Sequence, residues 1–283
     1  MSIILDHVNY IYEPDTNMKV WALKDINLTI NDGDFIGLIG HTGSGKSTMI
    51  QMLNGLLKPT SGNIYYNGAD INDDDYNRRA LRGEVGLVFQ YPEHQLFEET
   101  VFKDVCFGPK NMGLDDKTAE LRAFDALEKV HLQHEYFYQS PFELSGGQKR
   151  RVAIAGVIAM KPKVLILDEP AAGLDPKSKN DMLDMVSSLK KDNDMTIVLV
   201  SHSMEDVADY VNRIVVMNHG EVFMDGEPKD IFMHVDELES VGLSAPEMTY
   251  IVRDLKNKGF DVDTGATTIK EAKETILSAY SKR

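Results

Sequence analysis

Gly40-His41-Thr42-Gly43-Ser44-Gly45-Lys46-Ser47 fits the pattern G-x-x-x-x-G-K-[ST], a phosphate-binding loop. Its glycines let the backbone wrap closely around an anion, with N–H groups and the following helix terminus aimed at the phosphates. Working outward, Phe35 to Ile39 reads as a strand and Lys46 to Leu57 as a helix. That strand–loop–helix order is the context the motif requires. The expected nucleotide contacts are Gly40 to Ser47 and the next residue, Thr48. Lys46 is expected to reach the β- and γ-phosphates, and the Ser47 hydroxyl to ligate Mg²⁺.

Further along, Val164-Leu165-Ile166-Leu167 is an apolar strand that delivers Asp168 and Glu169 at its end. A carboxylate at the end of a buried strand suits Mg²⁺, the part assigned to Asp168, while Glu169 can orient or deprotonate an attacking water. His202 follows the apolar run Thr196 to Val200, and Gln90 follows Val85 to Phe89. Ligands of open α/β sheets gather outside the carboxyl ends of strands, so both residues belong at the same edge. His202 is expected to contact phosphate, and Gln90 to sense Mg²⁺ or the lytic water.

A second motif has no task within its own chain. Leu144-Ser145-Gly146-Gly147-Gln148 opens an apolar helix with Ser145 as N-cap. Such a helix start is an anion site, yet the phosphate loop already holds a triphosphate. The economical reading is that Ser145, Gly146, Gly147 and Gln148 bind the far end of an ATP held by another subunit. With both motifs in this order, the chain reads as a machine driven by ATP.

The bulk numbers bound the alternatives. The chain has 283 residues, 42% hydrophobic and 27% charged, enough to bury a full core with a small appended unit. Lys plus Arg number 30 against 45 Asp plus Glu, a net charge of −15. That balance repels phosphodiester backbones and anionic lipid surfaces, so nucleic acid is not expected as a partner. The single cysteine, Cys106, cannot form an internal disulfide and is expected to pack as a small apolar residue. Met1 to Tyr12 lacks signal-peptide character, and no apolar run reaches the roughly 18 residues that cross a bilayer. A cytosolic compartment fits best, and any membrane role must be borrowed from a partner.

The organisation reads as α/β. Ile3 to Leu5, Ala22 to Ile30, Ile64 to Tyr66 and Val85 to Phe89 carry strand signals, with turns at Asn31 to Asp34 and Pro59 to Gly62. The texture is helical over about 91–160, where Leu121, Phe124, Leu127 and Val130 suggest one buried helical face. Strand runs at Val164 to Leu167, Met195 to Val200 and Ile214 to Met217 alternate with helices at Pro176 to Lys190 and Met204 to Tyr210. That alternation implies a mostly parallel sheet with covered faces. Two amphipathic helices follow at Pro246 to Lys258 and Thr268 to Ser281, the second through Ile269, Ala272, Ile276 and Tyr280. The chain thus divides into a nucleotide-binding unit, 1–235, and an appended unit, 236–283.

Together these residues resemble an ATP-binding cassette (ABC) ATPase across residues 1 to about 235. The resemblance implies a RecA-like core of mixed, mainly parallel sheet, an antiparallel β subdomain and a helical subdomain. It also implies head-to-tail pairs that clamp two ATP molecules between phosphate loop and signature motif. By the same resemblance Tyr12 (or Tyr10) stacks on adenine, Gln90 is the coupling glutamine, and Ala172-Gly173-Leu174-Asp175 lies at the dimer seam. The stretches Val88 to Val101 (VFQYPEHQLFEETV) and Pro141 to Arg151 (PFELSGGQKRR) resemble, more narrowly, the ATPases of energy-coupling factor (ECF) transporters of the second, A-prime type. Those importers take up vitamins and transition-metal ions. The resemblance implies a sister ATPase in a heterodimer, a transmembrane coupling subunit whose helices dock after Gln90, and membrane subunits that capture substrate. It places the chain at the cytoplasmic face of the membrane. Ala171 departs from the Thr or Ser usual after the Glu-Pro pair, with little effect expected on hydrolysis. Two other readings share the cassette motifs: an importer ATPase for amino acids or metals, and a soluble ABC-type ATPase, which the net charge opposes.

Overall fold

The strand-rich sequence folds into two sheets. A computed structural model describes residues 2–193 and 195–281. The first sheet is antiparallel and contains β1 (Ser2–Tyr12), β2 (Val20–Asn31), β4 (Ser61–Tyr66) and the short β5 (Ala69–Asp70), in the order β2-β1-β4-β5. The second contains β3 (Phe35–Gly40), β6 (Val85–Val88), β7 (Val164–Asp168), β8 (Thr196–Val200), β9 (Arg213–Asn218) and β10 (Glu221–Gly226). Its order is β10-β9-β3-β8-β7-β6, parallel throughout except for the antiparallel edge strand β10.

Alternation along the parallel strands shows how both faces are filled. Phe35 and Ile39 of β3, with Leu165 and Leu167 of β7, enter one core, whereas Ile36, Leu38, Val164 and Ile166 enter the other. The first core is covered by α3 (Val101–Asn111), α4 (Asp116–Lys129), α5 (Gly146–Ile158), α6 (Pro176–Asn193) and α7 (Met204–Tyr210). The second lies between the sheet, α1 (Lys46–Leu53), α2 (Arg78–Glu84) and the antiparallel sheet. Each aliphatic side chain buried this completely contributes about 1.5–3 kcal/mol relative to exposure.

Register decides where the chemistry sits. Leu38 of β3 and Asp168 of β7 both pair with Val200 of β8. The carboxyl ends of these strands are therefore level, and the loops after them open on one edge of the sheet. The expected α/β class, with parallel core, antiparallel β part and helical part, is the architecture observed.

Several expectations need correction. In α4 the buried residues are Ala119, Ala123, Ala126 and Leu127, while Leu121 and Phe124 are exposed. A three-residue spacing at 100° per residue drifts by about 60° per step, so Leu121 and Val130 cannot share a face. The first helix stops at Leu53, with Gly55 beyond it in the left-handed region, and does not reach Leu57. Strand β10 and helix α2 carried no recognised signal.

After α8 (Pro228–Met233) and α9 (Val235–Ser240), whose Val235 and Leu238 join the first core, come α10 (Glu247–Asn257) and α11 (Ile269–Ser281). A separate small core gathers Val252, Val262, Ala266, Ala272 and Ala279. Ile269 and Tyr280, expected on the inner face of α11, are exposed. The inward stripe runs instead through Ala272, the half-buried Ile276 and Ala279, and at about 100° per residue Ile269 and Tyr280 fall to one side of it.

Candidate functional site

The loop from β3 to α1 owes its shape to tight backbone approach. Gly40 has φ of 153°, and a Cβ there would lie 2.4 Å from the Met217 carbonyl oxygen. Gly45, at φ of 106°, would place a Cβ 2.5 Å from the Ala22 carbonyl oxygen. Only glycine fits where two backbones meet this closely.

A cleft of about 430 Å³ opens over this loop. Thr42, Gly43, Gly45, Lys46, Ser47, Thr48, Gln90, Asp168, Glu169, His202 and Tyr12 all line it. The sequence thus foretold most of the lining, and the topology brings it together from β1, β3, β6, β7 and β8. Gly40 and Ser44 lie buried behind the loop. His41 turns away, its Nε2 lying 3.2 Å from Asn218 Oδ1 and its ring centroid 4.8 Å from that of His219. Tyr12 places its hydroxyl 3.1 Å from Thr48 Oγ1, while Tyr10 packs against the second core. Val20 and Trp21 also line the cleft and are largely exposed; no sequence signal marked them beyond an apolar pair at a strand start.

Lys46 Nζ donates to the carbonyls of Gly40 at 2.6 Å and His41 at 3.1 Å, with the side chain buried beneath the loop. Burial holds its pKa below the usual lysine value, against the attraction of Glu169 and Asp168. Burial likewise raises Asp168, with Lys46 opposing. Burial and then the adjacent Asp168 push Glu169 up to about 7. His202 Nε2 lies 3.2 Å from Glu169 Oε1, yet that oxygen is buried without a hydrogen bond. The contact is not a charged pair, because burial and then Lys46 hold His202 below its ordinary value. Two aligned acids, one amine and one imidazole therefore face a cleft with an acceptor left unused. That set is poised for an anion and a water molecule.

The Ser145 segment lies elsewhere. None of residues 145–148 lines the cleft. Ser145 caps α5 in a capping box: Gln148 N–H donates to its Oγ, and its own N–H donates to Gln148 Oε1 at 2.9 Å. Gly146 and Gly147 have ordinary helical backbone, and a Cβ on either would meet nothing within 4 Å. The fold itself gives no reason for glycine there. Asp175 caps α6, accepting from the N–H groups of Lys177 and Ser178 at 3.1 Å. Cys106 is buried in the first core, where burial raises its thiol to about 11, as expected of a packing residue.

Beyond Gln90, a groove of about 560 Å³ is lined by Arg79, Arg82, Phe97, Asp104, Phe107 and Met112 among others. Phe97 and Phe107 meet edge to face at 4.9 Å, and both are exposed. No helix among the described residues is long and apolar enough to cross a membrane.

A parallel sheet with its phosphate loop, strand-end acids and strand-end histidine on one edge defines a P-loop nucleoside triphosphatase. Comparison narrows the class. Residues 23–172 match the ABC transporter family. The chain is 54% identical over 278 residues to the energy-coupling factor transporter ATP-binding protein EcfA2 of Clostridium perfringens, covering 98% of both chains. It is 52% identical over 284 residues to the protein of the same name from Clostridium tetani, covering 100% of this chain and 99% of that one. Among solved structures, cbiO1 from Clostridium perfringens, described as part of the ABC transporter complex cbiONQ, gives a TM-score of 0.74 at 37% identity over 84% of this chain and 93% of its own. The dimeric post-hydrolysis state of the ATP-binding cassette MJ0796, bound to ADP and Pi, gives 0.72 at 30% identity over 80% and 98%. The chain belongs to the ATP-hydrolysing ABC family and, within it, to the energy-coupling factor transporter ATP-binding proteins.

Proposed function

We propose that this chain is the A-prime-type ATPase subunit of an energy-coupling factor importer, turning ATP binding and hydrolysis into uptake of vitamins or transition-metal ions. One observation carries the reading: the chain has a cleft for a triphosphate and, outside it, a helix that opens on Ser145 with a glycine pair its own fold does not require. A sister ATPase supplies the missing halves, so that each ATP is completed by the opposite subunit's Ser145-type helix. The amphipathic groove after Gln90 receives cytosolic helices of a transmembrane coupling subunit, and substrate-capture subunits complete the assembly. The chain then works as a peripheral protein on the cytoplasmic face of the membrane. Residues 1–235 form the nucleotide-binding unit, its helical part over about 91–160, and 236–283 the appendage.

Within the site, Lys46 and the N–H groups of the loop hold the phosphates, Tyr12 stacks on adenine, and His202 contacts the terminal phosphate. The Ser47 hydroxyl, Asp168 carboxylate and Gln90 amide are oxygen donors around one cleft, the set a hard cation such as Mg²⁺ takes. Bound there, Mg²⁺ would neutralise charge on the β- and γ-oxygens. Glu169, whose carboxyl burial and Asp168 push up to about 7, takes the proton of the attacking water in its charged form.

Glu169→Gln is expected to keep ATP affinity within about twofold and to lower turnover at least a hundredfold, the scale of a lost general base. Appreciable hydrolysis by that variant, with the sister ATPase also disabled, contradicts the assignment. Purification from membranes is expected to bring along a polytopic subunit and a second ATPase; recovery of this chain alone contradicts the importer reading.

A further inference from the structure

Arg150 is a buried cation with no part in the cleft. It sits on the second turn of α5, just after the signature glycines, and is 4% exposed. Its guanidinium makes four hydrogen bonds. Nε lies 3.3 Å from Glu93 Oε2 and Nη2 lies 3.1 Å from Glu93 Oε1, a two-pronged pair. Nη1 donates to the carbonyls of Pro170 at 3.1 Å and Ala172 at 2.7 Å. Glu93 lies in the 3-10 turn Pro92–Gln95, three residues after Gln90. Pro170 and Ala172 lie in the turn closed by the bond from Ala172 N–H to the Glu169 carbonyl at 3.1 Å.

One planar cation therefore ties three segments: the turn beside the groove after Gln90, the signature helix, and the turn that follows Glu169. Fork geometry makes the link directional, because guanidinium and carboxylate align in a plane where an ammonium would act as a point. Burial raises Glu93, but the hydrogen bond from Arg150, its own backbone N–H and the Arg150 charge together outweigh burial and hold its carboxyl below the usual value. Both carbonyls belong to the turn after Glu169; holding them fixes the turn on which Glu169 keeps a left-handed φ of 51°.

We propose that Arg150, held by Glu93, is a positioning residue for hydrolysis: through the Pro170–Ala172 turn it sets the alignment of Glu169, so that displacement of the groove turn changes the hydrolytic rate. The inference rests on Glu169 being the water-activating group. It goes beyond that assignment by naming what aligns it and where the alignment can be disturbed.

The test is steady-state ATP hydrolysis by the purified membrane assembly, with turnover normalised to sites that bind a fluorescent ATP analogue. Glu93→Gln keeps the shape and one acceptor and removes the charge; Arg150→Lys keeps the charge and loses the fork. Each is expected to lower kcat per nucleotide-binding site at least tenfold, with KM for ATP within twofold. The double variant is expected to fall within threefold of the worse single one, because the pair acts as a unit. A merely structural role would reduce the number of competent sites and leave turnover per site unchanged, which overturns the proposal. A rise in KM matching the fall in kcat overturns it as well. The Glu169→Gln control separates the two failures: if that variant still turns over, the assignment of Glu169 is wrong; if it is dead while Glu93→Gln turns over normally, only the positioning role is wrong.

Discussion

Glu169 combines a left-handed φ of 51° with a carboxylate oxygen that is buried and without a hydrogen bond. Non-glycine residues in that region, and buried acceptors left unused, persist where a ligand completes them. Burial and Asp168 raise this carboxyl to about 7 from the ordinary glutamate value of 4.5. Between those values the folded protein keeps a proton that the unfolded chain has released, so stability falls as pH rises through the window. Glu169→Gln cannot ionise. Its nucleotide-free thermal midpoint is expected to exceed that of the parent by at least about 5 °C at pH 8, the size of roughly 3 kcal/mol, and to converge on it toward pH 4. A constant offset across that range contradicts the assignment of strain to the ionised carboxylate. Residues whose chemistry is fixed by local order, such as Lys46, Asp168 and Glu169, were legible in the sequence. The Arg150–Glu93 pair was not, because its partners are 57 positions apart and each reads alone as a surface charge.

At the scale of elements, the glycine pair of α5 is not required by its own helix. Glycine in a helix costs up to about 1 kcal/mol relative to alanine, and neither Gly146 nor Gly147 relieves a contact within 4 Å. Gly146→Ala is thus expected to leave the thermal midpoint equal or slightly raised, while hydrolysis by the assembled ATPase pair falls at least tenfold. Calorimetry and a phosphate-release assay on one preparation check both halves. A lower midpoint with normal turnover per folded molecule would mean that the glycine serves the fold. Element type was readable wherever burial imposed a period, as in the apolar runs of β3, β7 and β8. It misled in α4, where small alanines mark the inner face and large Leu121 and Phe124 lie outside. It was silent for β10, whose half-exposed edge alternates residues too varied to mark a strand.

At the scale of the whole molecule, the small core of α10 and α11 is tied back to the rest of the chain through α8. Lys229 of α8 reaches Glu271 of α11 at 2.8 Å, and the same carboxylate accepts from the N–H groups of Thr267 and Thr268. Burial opposes its charge, but Lys229 and those N–H groups hold it down at about 2. The stabilisation is complete above the ordinary glutamate range and is lost as pH falls from there toward 2. Lys229→Ala is expected to raise hydrogen exchange in α11 about threefold to tenfold at neutral pH, the scale of a partly exposed ion pair, and to leave ATP affinity within twofold. Equal acceleration in α1 would contradict a local tie. Both layers of the sheet core and the cleft were foreseeable from the order of strands and helices. The packing of α8 and α9 against the first core was not, since it depends on contacts that no local pattern records.

The central claim is that ATP on Lys46 is completed by a different polypeptide. The most direct measurement is the structure of the assembled ATPase pair carrying Glu169→Gln, trapped with ATP and Mg²⁺. The sister subunit's signature helix is expected to point its N-terminus at the triphosphate held by Lys46, with Ser145 of this chain facing the sister's nucleotide. A triphosphate enclosed by Lys46 and Ser145 of the same chain would contradict the account.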